Sequence, residues 1–73
     1  MNRTALRDNI LFLMLENNET QNSLASKINV APGTVNNWLN SKRLPSSYAV
    51  YRMSKVFNVP MERIMKGIDE DEL

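Results

Sequence analysis

The chain has 73 residues, no cysteine, no histidine and a formal net charge of +1. Its length allows one domain with one core, and without cysteine or histidine we expect neither disulfides nor a metal, cofactor or nucleophilic catalytic site. Because histidine and cysteine are absent, we expect that the protein is not an enzyme. The longest apolar run, Ile10 to Leu15, is far shorter than the roughly 20 residues that span a bilayer, so we expect a cytoplasmic protein without a membrane anchor.

The N-terminal part of the chain is predicted to form two helices separated by the break ENNE. Thr4 is predicted to cap a first helix that ends near Asn17, and Thr20 to cap a second helix over residues 21–28. Apolar residues recur at helical spacing on one face of each helix: Leu6, Ile10, Leu13 and Met14 in the first, Leu24, Ala25 and Ile28 in the second. Asn29 follows the second helix and is predicted to adopt the left-handed conformation that ends many helices.

A third, short helix is predicted from about Pro32 to about Asn40. Proline is tolerated at the first helical position because its missing N–H would be unpaired there. The helix has two faces, an apolar one with Val35, Trp38 and Leu39 and a polar one with Gly33, Asn36, Asn37 and Asn40. We expect Trp38 to be a core residue and the amide-bearing face to point to solvent.

Two further helices complete the predicted fold. Ser46 or Ser47 is predicted to cap a fourth helix, whose inward face carries Val50, Met53 and Phe57. The segment NVP ends it, and a short fifth helix is predicted over residues 61–66, with an apolar stripe of Met61, Ile64, Met65 and Ile68. No stretch alternates with the period of a strand, so the predicted fold class is all-α, with five short helices.

The charges are unevenly distributed along the chain. No acidic residue occurs between Glu19 and Glu62, although five basic residues do: Lys27, Lys42, Arg43, Arg52 and Lys55. Four acidic residues follow one another at positions 69–72. A basic segment favours a polyanionic partner, so we expect the protein to bind one. We also expect residues 1–67 to form the folded domain and residues 68–73 to form an acidic tail.

The second and third helices, joined by a tight turn, have the spacing of a helix-turn-helix. The stretches TQNSLASKINVAPGTVNNWLN and YRMSKVFNVPMERIM, with Pro45 between them, resemble the family of phage repressors and Cro-type regulators, the Xre family, over about residues 6–67. In that family a Thr/Ser-Gln pair opens the second helix, a Leu-Ala pair follows, and an aliphatic–Gly–aliphatic turn leads into the third. The resemblance implies a compact five-helix, lambda-repressor-like domain that binds double-stranded DNA.

The resemblance also implies that the third helix lies in the DNA major groove. The family usually places base-contacting side chains on the first two positions of this helix, here Pro32 and Gly33, and neither can donate or accept a hydrogen bond through its side chain. We therefore predict that Asn36, Asn37 and Thr34 contact bases, since an asparagine can bond to both N6 and N7 of adenine. Gly33 is predicted to let the backbone approach the duplex closely.

Phosphate contacts are predicted at both ends of the helix-turn-helix. Gln21 resembles the family's phosphate-binding glutamine, at a helix N-terminus where the helix dipole also favours an anion. Lys42 and Arg43 lie in the loop after the third helix, where the family contacts the DNA backbone. Asn40, which precedes them, is predicted to contact phosphate as well. Arg3, on a short N-terminal arm, is a further phosphate candidate.

The first helix carries more apolar residues than one face can bury, because Leu11, Phe12 and Leu15 add to its inward stripe. The family usually has a hydrophobic residue where Glu19 stands, and we expect some of this excess to compensate for Glu19 in the core and the rest to form an interface. Family members commonly dimerise through the last helix, so the predicted dimer interface comprises Met61, Ile64, Met65 and Ile68. Leu11 with Leu15 is the alternative.

Two functions follow from these features. The resemblance implies a sequence-specific transcriptional regulator, a small phage or bacterial repressor of Cro type that binds its operator as a homodimer. The excess apolar surface of the first helix favours a second function, a protein-interaction module on the same fold, such as an antitoxin with a protein partner. The two are compatible, since antitoxins of this fold often repress their own genes.

Overall fold

The computed structural model describes residues 3–66, and this range contains five helices and no strand. In chain order they are α1 (Arg3–Glu16), α2 (Gln21–Ile28), α3 (Pro32–Leu39), α4 (Ser47–Phe57) and α5 (Met61–Met65). The all-α prediction is therefore confirmed. The prediction of Thr4 as an N-cap is wrong, because α1 begins at Arg3 and includes Thr4. Within the described range, no helix has the length and apolar character needed to cross a bilayer.

One apolar cluster, to which all five helices contribute, forms the core. α2 packs against α3 and α4, and α5 packs against α1 and α4. The buried apolar residues are Leu6, Ile10, Leu13, Met14, Leu24, Ala25, Ile28, Val35, Trp38, Ala49, Val50, Met53, Phe57 and Ile64. The inward stripes predicted for the first four helices are thus confirmed, except that Leu39 is half-buried at the edge of the core.

Side-chain caps determine where two of the helices begin. The hydroxyl of Thr20 accepts a hydrogen bond from the N–H of Ser23 at 3.1 Å, and the N–H of Thr20 donates to the Ser23 hydroxyl at 2.8 Å. This reciprocal capping box satisfies two backbone donors at the start of α2. The hydroxyl of Ser46 caps α4 by accepting from the N–H of Ala49 at 3.1 Å. In contrast, α3 begins with Pro32 and has no side-chain cap.

Four of the helices are followed, within two residues of their last residue, by a left-handed residue that is not glycine. These residues are Asn18, Asn29, Ser41 and Asn58, each with a φ between 56° and 62°. After each of them, the next N–H donates to the carbonyl five residues earlier, as from Val30 to Ala25 at 3.0 Å. Such bonds satisfy carbonyls that a helix end otherwise leaves unpaired. The prediction for Asn29 is confirmed.

A polar contact that the sequence did not reveal joins α1 to α5. The side-chain amide of Asn9 donates to the carbonyls of Ile64 at 2.9 Å and of Lys66 at 2.6 Å. These carbonyls lie at the end of a helix of only five residues, where no intrahelical donor remains for them. Together with the buried side chain of Ile64, Asn9 holds α5 against the domain.

The additional apolar residues of α1 do not enter the core. Leu11, Phe12 and Leu15 are exposed, so the expectation that they compensate for Glu19 is wrong. Glu19 is compensated by polar contacts instead. Its side chain is 6% exposed, and its carboxylate accepts hydrogen bonds from the Ser23 hydroxyl and the Lys27 ammonium.

Candidate nucleic-acid interface

The candidate interface is built on α2 and α3, which pack against each other through their buried faces. Ala25, the small residue predicted at their crossing, is 1% exposed. Trp38 is 5% exposed, which confirms the prediction that the indole anchors α3 in the core. Because an inward Trp38 determines the rotation of α3 about its axis, the opposite face of the helix points to solvent.

The outward face of α3 carries small and amide-bearing residues. Gly33, Asn36 and Asn40 are exposed, whereas Thr34 and Asn37 are half-buried. A Cβ atom added at Gly33 would meet nothing within 4 Å, so the backbone there is open to an approaching molecule. Asn37 is turned partly toward the protein because successive helical residues are about 100° apart around the axis.

Three amide side chains on this surface are linked into one chain of hydrogen bonds. The amide nitrogen of Asn36 donates to the side-chain oxygen of Gln21 at 3.2 Å, and the amide nitrogen of Asn40 donates to the side-chain oxygen of Asn36 at 2.7 Å. The chain thus joins the first residue of α2 to the outward face of α3. A carboxamide has two N–H donors and two acceptor lone pairs, so Asn36 keeps one of each.

The loop after α3 carries two exposed cations, Lys42 and Arg43. Their position follows from the left-handed residue Ser41, which turns the chain so that both following N–H groups point back to the helix. The N–H of Lys42 donates to the carbonyl of Asn37 at 2.9 Å, and that of Arg43 to the same carbonyl at 3.4 Å. The two basic residues are therefore held directly beyond the last turn of α3.

Charge at this surface is positive or neutral. The predicted interface positions on α2, α3 and the following loop include no acidic residue, and Glu19, which precedes α2, is paired with Lys27. Hydrogen bonds from Lys27 and Ser23 lower the pKa of Glu19 below its ordinary value, which keeps the carboxylate ionised and paired at neutral pH. In the range 3–66, no three acidic side chains converge to form a metal site.

The predicted dimer residues differ in how deeply they are buried. Ile64 is 0% exposed and belongs to the core of its own chain, so it offers no surface to a second copy, which corrects the prediction for this residue. Met61 and Met65 are half-buried at the edge of the core. Ile68, the fourth predicted dimer residue, lies outside the described part of the chain. The side chain of Arg3, which was predicted to contact phosphate, lies outside it as well.

The family assignment rests on the fold, the site and a comparison with known proteins. The chain belongs to the helix-turn-helix family of Xre or lambda-repressor-like domains, whose family profile, described as "Helix-turn-helix", matches residues 12–64. The matched range begins in α1, ends in α5 and includes every position of the candidate interface named on α2, α3 and the following loop. The resemblance that the sequence motifs indicated is therefore confirmed.

Among individual proteins, the chain is similar to the uncharacterized HTH-type transcriptional regulator YvzC of Bacillus subtilis (strain 168). The two are 36% identical over 56 residues, which cover 77% of this chain and 73% of the relative. No solved structure matches the chain.

Proposed function

We propose that the chain is a sequence-specific, double-stranded DNA-binding regulator of transcription, a small repressor of Cro type that reads the major groove with α3. The observation that carries this proposal is the exposed amide chain Gln21–Asn36–Asn40, which bridges the two helices of the helix-turn-helix. The name of the similar protein YvzC, an HTH-type transcriptional regulator, supports the same function.

Base reading is assigned first to Asn36. The N–H and the lone pair that Asn36 keeps are the two groups needed to bond N7 and the N6 amino group of adenine, a contact that discriminates by about 1–3 kcal/mol. Gln21 and Asn40 hold the carboxamide in place, which reduces the entropy lost on binding. Asn37 and Thr34 are assigned contacts at neighbouring bases, and Gly33 allows the backbone to approach the groove.

Phosphate binding is assigned to residues on both sides of the reading face. Gln21 uses its side-chain oxygen toward Asn36, so its amide nitrogen stays available to donate to a phosphate at the positive end of α2. Asn40, Lys42 and Arg43 supply donors and positive charge at the other end of α3. Contacts of this kind position the protein on the duplex without reading sequence.

The proposed assembly is a homodimer that occupies two half-sites about one helical turn apart and blocks a promoter that overlaps them. Self-association is assigned to Met61, Met65 and Ile68, with Leu11 and Leu15 as the alternative surface.

A second candidate function is favoured by one observation, the exposed apolar residues Leu11, Phe12 and Leu15 on α1. Such a surface suits a protein partner, as in an antitoxin that binds a toxin. Co-expression with the products of neighbouring genes, followed by size-exclusion chromatography, tests it. The second function would replace the first proposal if a stable complex formed, if the variants Leu11→Ser and Leu15→Ser abolished that complex, and if no operator could be found for the protein.

Selection of duplexes from a random pool tests the proposed regulator. We expect an enriched motif with two inverted half-sites about 10 base pairs apart and a preference for adenine within each half-site. The affinity should fall steeply with salt, with a slope of about 0.9 in log affinity against log salt for each phosphate contact. A pool that shows no enriched motif, or an affinity unchanged between low and moderate salt, would contradict the proposal.

A further inference from the structure

A second cationic surface lies on α4, outside the residues of the candidate nucleic-acid interface. Four side chains share one side of this helix because they are spaced i, i+3, i+4 and i+7: Tyr48, Tyr51, Arg52 and Lys55. We call these four residues the α4 cationic face. Both tyrosines are exposed, and tyrosine is a residue type that is enriched where proteins bind one another.

The two cations of this face lie against the two tyrosines. The guanidinium carbon of Arg52 lies 5.7 Å from the centre of the Tyr48 ring, and Nη1 of Arg52 donates to the Tyr48 hydroxyl at 3.1 Å. The ammonium of Lys55 lies 5.2 Å from the centre of the Tyr51 ring. Within residues 3–66, neither cation has a carboxylate at ion-pair distance. The face therefore carries positive charge that this part of the chain does not neutralise.

Arg52 is held in position and still has donors to offer. Besides the bond to the Tyr48 hydroxyl, its Nη2 donates to the carbonyl of Lys27 at 3.4 Å. A guanidinium has five N–H groups, and within residues 3–66 only these two bonds use them, so three remain for a ligand. Because these contacts order the side chain before anything binds, less conformational entropy is lost when a carboxylate pairs with the remaining donors.

A groove adjoins the α4 cationic face where α4 meets the end of α2. Its volume is about 190 Å³, and Lys27 and Val56 line it together with the four residues of the face. Val56 is half-buried and packs against the core, so the groove has an apolar wall beside its cations. The ammonium of Lys27 is already paired with Glu19, which leaves Arg52 and Lys55 as the cations of the groove that a ligand can neutralise.

The spacing of these two cations determines which ligand fits. Arg52 and Lys55 are three residues apart, which is about 4.5 Å along the axis of α4. Carboxylates about one turn apart on a helical segment have a similar spacing, and an aliphatic side chain beside them fits the wall at Val56. A nucleic-acid strand fits less well, because its bases would have to stack on tyrosine rings of which a cation already covers one face.

We propose that the α4 cationic face binds an acidic segment of another protein, which carries two carboxylates about one helical turn apart and an aliphatic side chain beside them. The carboxylates pair with Arg52 and Lys55, and the aliphatic side chain packs on Val56. The groove lies near Lys27, about 9 Å along α2 from Gln21, and is therefore separate from the candidate nucleic-acid interface. The proposal does not depend on DNA binding.

Selection from a library of random peptides tests the chemistry of the ligand, with the full chain as bait and peptides of about 15 residues, a length at which a helical segment can form. We expect an enriched motif with two acidic residues three or four positions apart and an aliphatic residue beside them. A pool in which no motif is enriched, or a motif without acidic residues, would overturn the proposal.

NMR titration of the full chain with a synthetic peptide of the enriched sequence locates the site. We expect the amide signals of residues 48–56 to shift, and Arg52→Gln together with Lys55→Gln to weaken binding about tenfold, since exposed ion pairs each contribute modestly. Lys55→Gln alone, at an exposed position where the fold is not at risk, should weaken binding about threefold.

The matched control is Arg63→Gln, which removes a partly exposed cation that is paired with Glu16 at 3.9 Å and should leave peptide binding unchanged. Three results would overturn the proposal. They are shifts that centre outside α4, an affinity that the changes at Arg52 and Lys55 leave intact, and a single-stranded oligonucleotide that binds the same residues more tightly than the peptide does.

Discussion

Glu19 shows how a single acidic residue is accommodated at the edge of the core. Its side chain is 6% exposed, and the hydrogen bonds from Lys27, first in effect, and from Ser23 lower its pKa below the ordinary value of 4.5. A carboxyl whose pKa is lower in the folded than in the unfolded chain stabilises the fold above the unfolded pKa. That stabilisation is lost as the pH falls through the folded pKa.

The change Glu19→Gln should therefore lower the free energy of unfolding at neutral pH, and the difference from the unaltered protein should shrink as the pH falls below about 4. Urea denaturation at pH values from about 7 to 3 measures it. Asp8→Asn is the matched control, since the side chains of Asp8 and its partner Arg7 are 59% and 39% exposed, and an ion pair this accessible to water should contribute little at any pH. A deficit of the same size at both ends of the pH range would contradict the assigned role of the charge.

Asn36 and Asn37 illustrate what the sequence could and could not predict for single residues. Helical periodicity places both on the polar side of α3, and the resemblance to the family makes both candidate readers. The structure distinguishes them, because Asn36 is exposed and bonded to Gln21 and Asn40, whereas Asn37 is half-buried. The hydrogen bond between Asn36 and Gln21 depends on how α2 packs against α3, and no sequence pattern within α3 can show that packing.

The turn between α2 and α3 is the element on which the proposed reading geometry depends. Asn29 has φ 62° and ψ 47°, and the N–H of Val30 then bonds to the carbonyl of Ala25 at 3.0 Å. The family usually has glycine within this turn. Asparagine serves here because it tolerates the left-handed conformation better than other residues that carry a Cβ atom.

Asn29→Ala should lower the free energy of unfolding by about 1 kcal/mol, since alanine lacks this tolerance, while Asn29→Gly should leave it unchanged or raise it slightly. Urea denaturation followed by circular dichroism measures both. Asn22→Ala, the same replacement at an exposed position within α2, should cost little. If the glycine variant lost as much stability as the alanine variant, the left-handed backbone would not be the reason for Asn29.

Element boundaries and inward faces were largely predictable because capping residues and periodicity are local signals. Thr20, Pro32 and Asn29 all have the predicted roles. The attachment of α5 was not predictable, because Asn9 bonds to carbonyls 55 and 57 residues away, and no local pattern signals such a pairing. The short helix α5 is held by contacts that form only in the folded chain.

At the scale of the whole molecule, basic residues lie on two separate parts of the described surface. The five basic residues between Glu19 and Glu62 include the two beyond α3 and the two on α4, so one positive segment supplies two separate surfaces. Exposed aliphatic and phenylalanine side chains form a group on α1, which comprises Leu11, Phe12 and Leu15, whereas the exposed Tyr48 and Tyr51 lie on α4 beside Arg52 and Lys55.

The fold class and family were predictable because several motifs occur in register along most of the chain. Each motif alone is weak evidence for the family, but all of them together are specific. The dimer surface was less predictable. Helical spacing alone cannot tell whether the apolar stripe of α5 faces its own core or a second copy, and the full burial of Ile64 shows that part of it faces the core.

The central claim is that the outward amides of α3 read bases while its flanking residues bind phosphate. The most direct test measures the affinity of the unaltered protein, Asn36→Ala and Lys42→Ala for the selected operator and for each of its single-base-pair variants, at one salt concentration. Asn36→Ala should lose a preference of about 1–3 kcal/mol at one or two base pairs and keep the rest, whereas Lys42→Ala should weaken binding to all duplexes about equally. A chain carrying both Asn36→Ala and Asn37→Ala that kept every base preference of the original would contradict the claim.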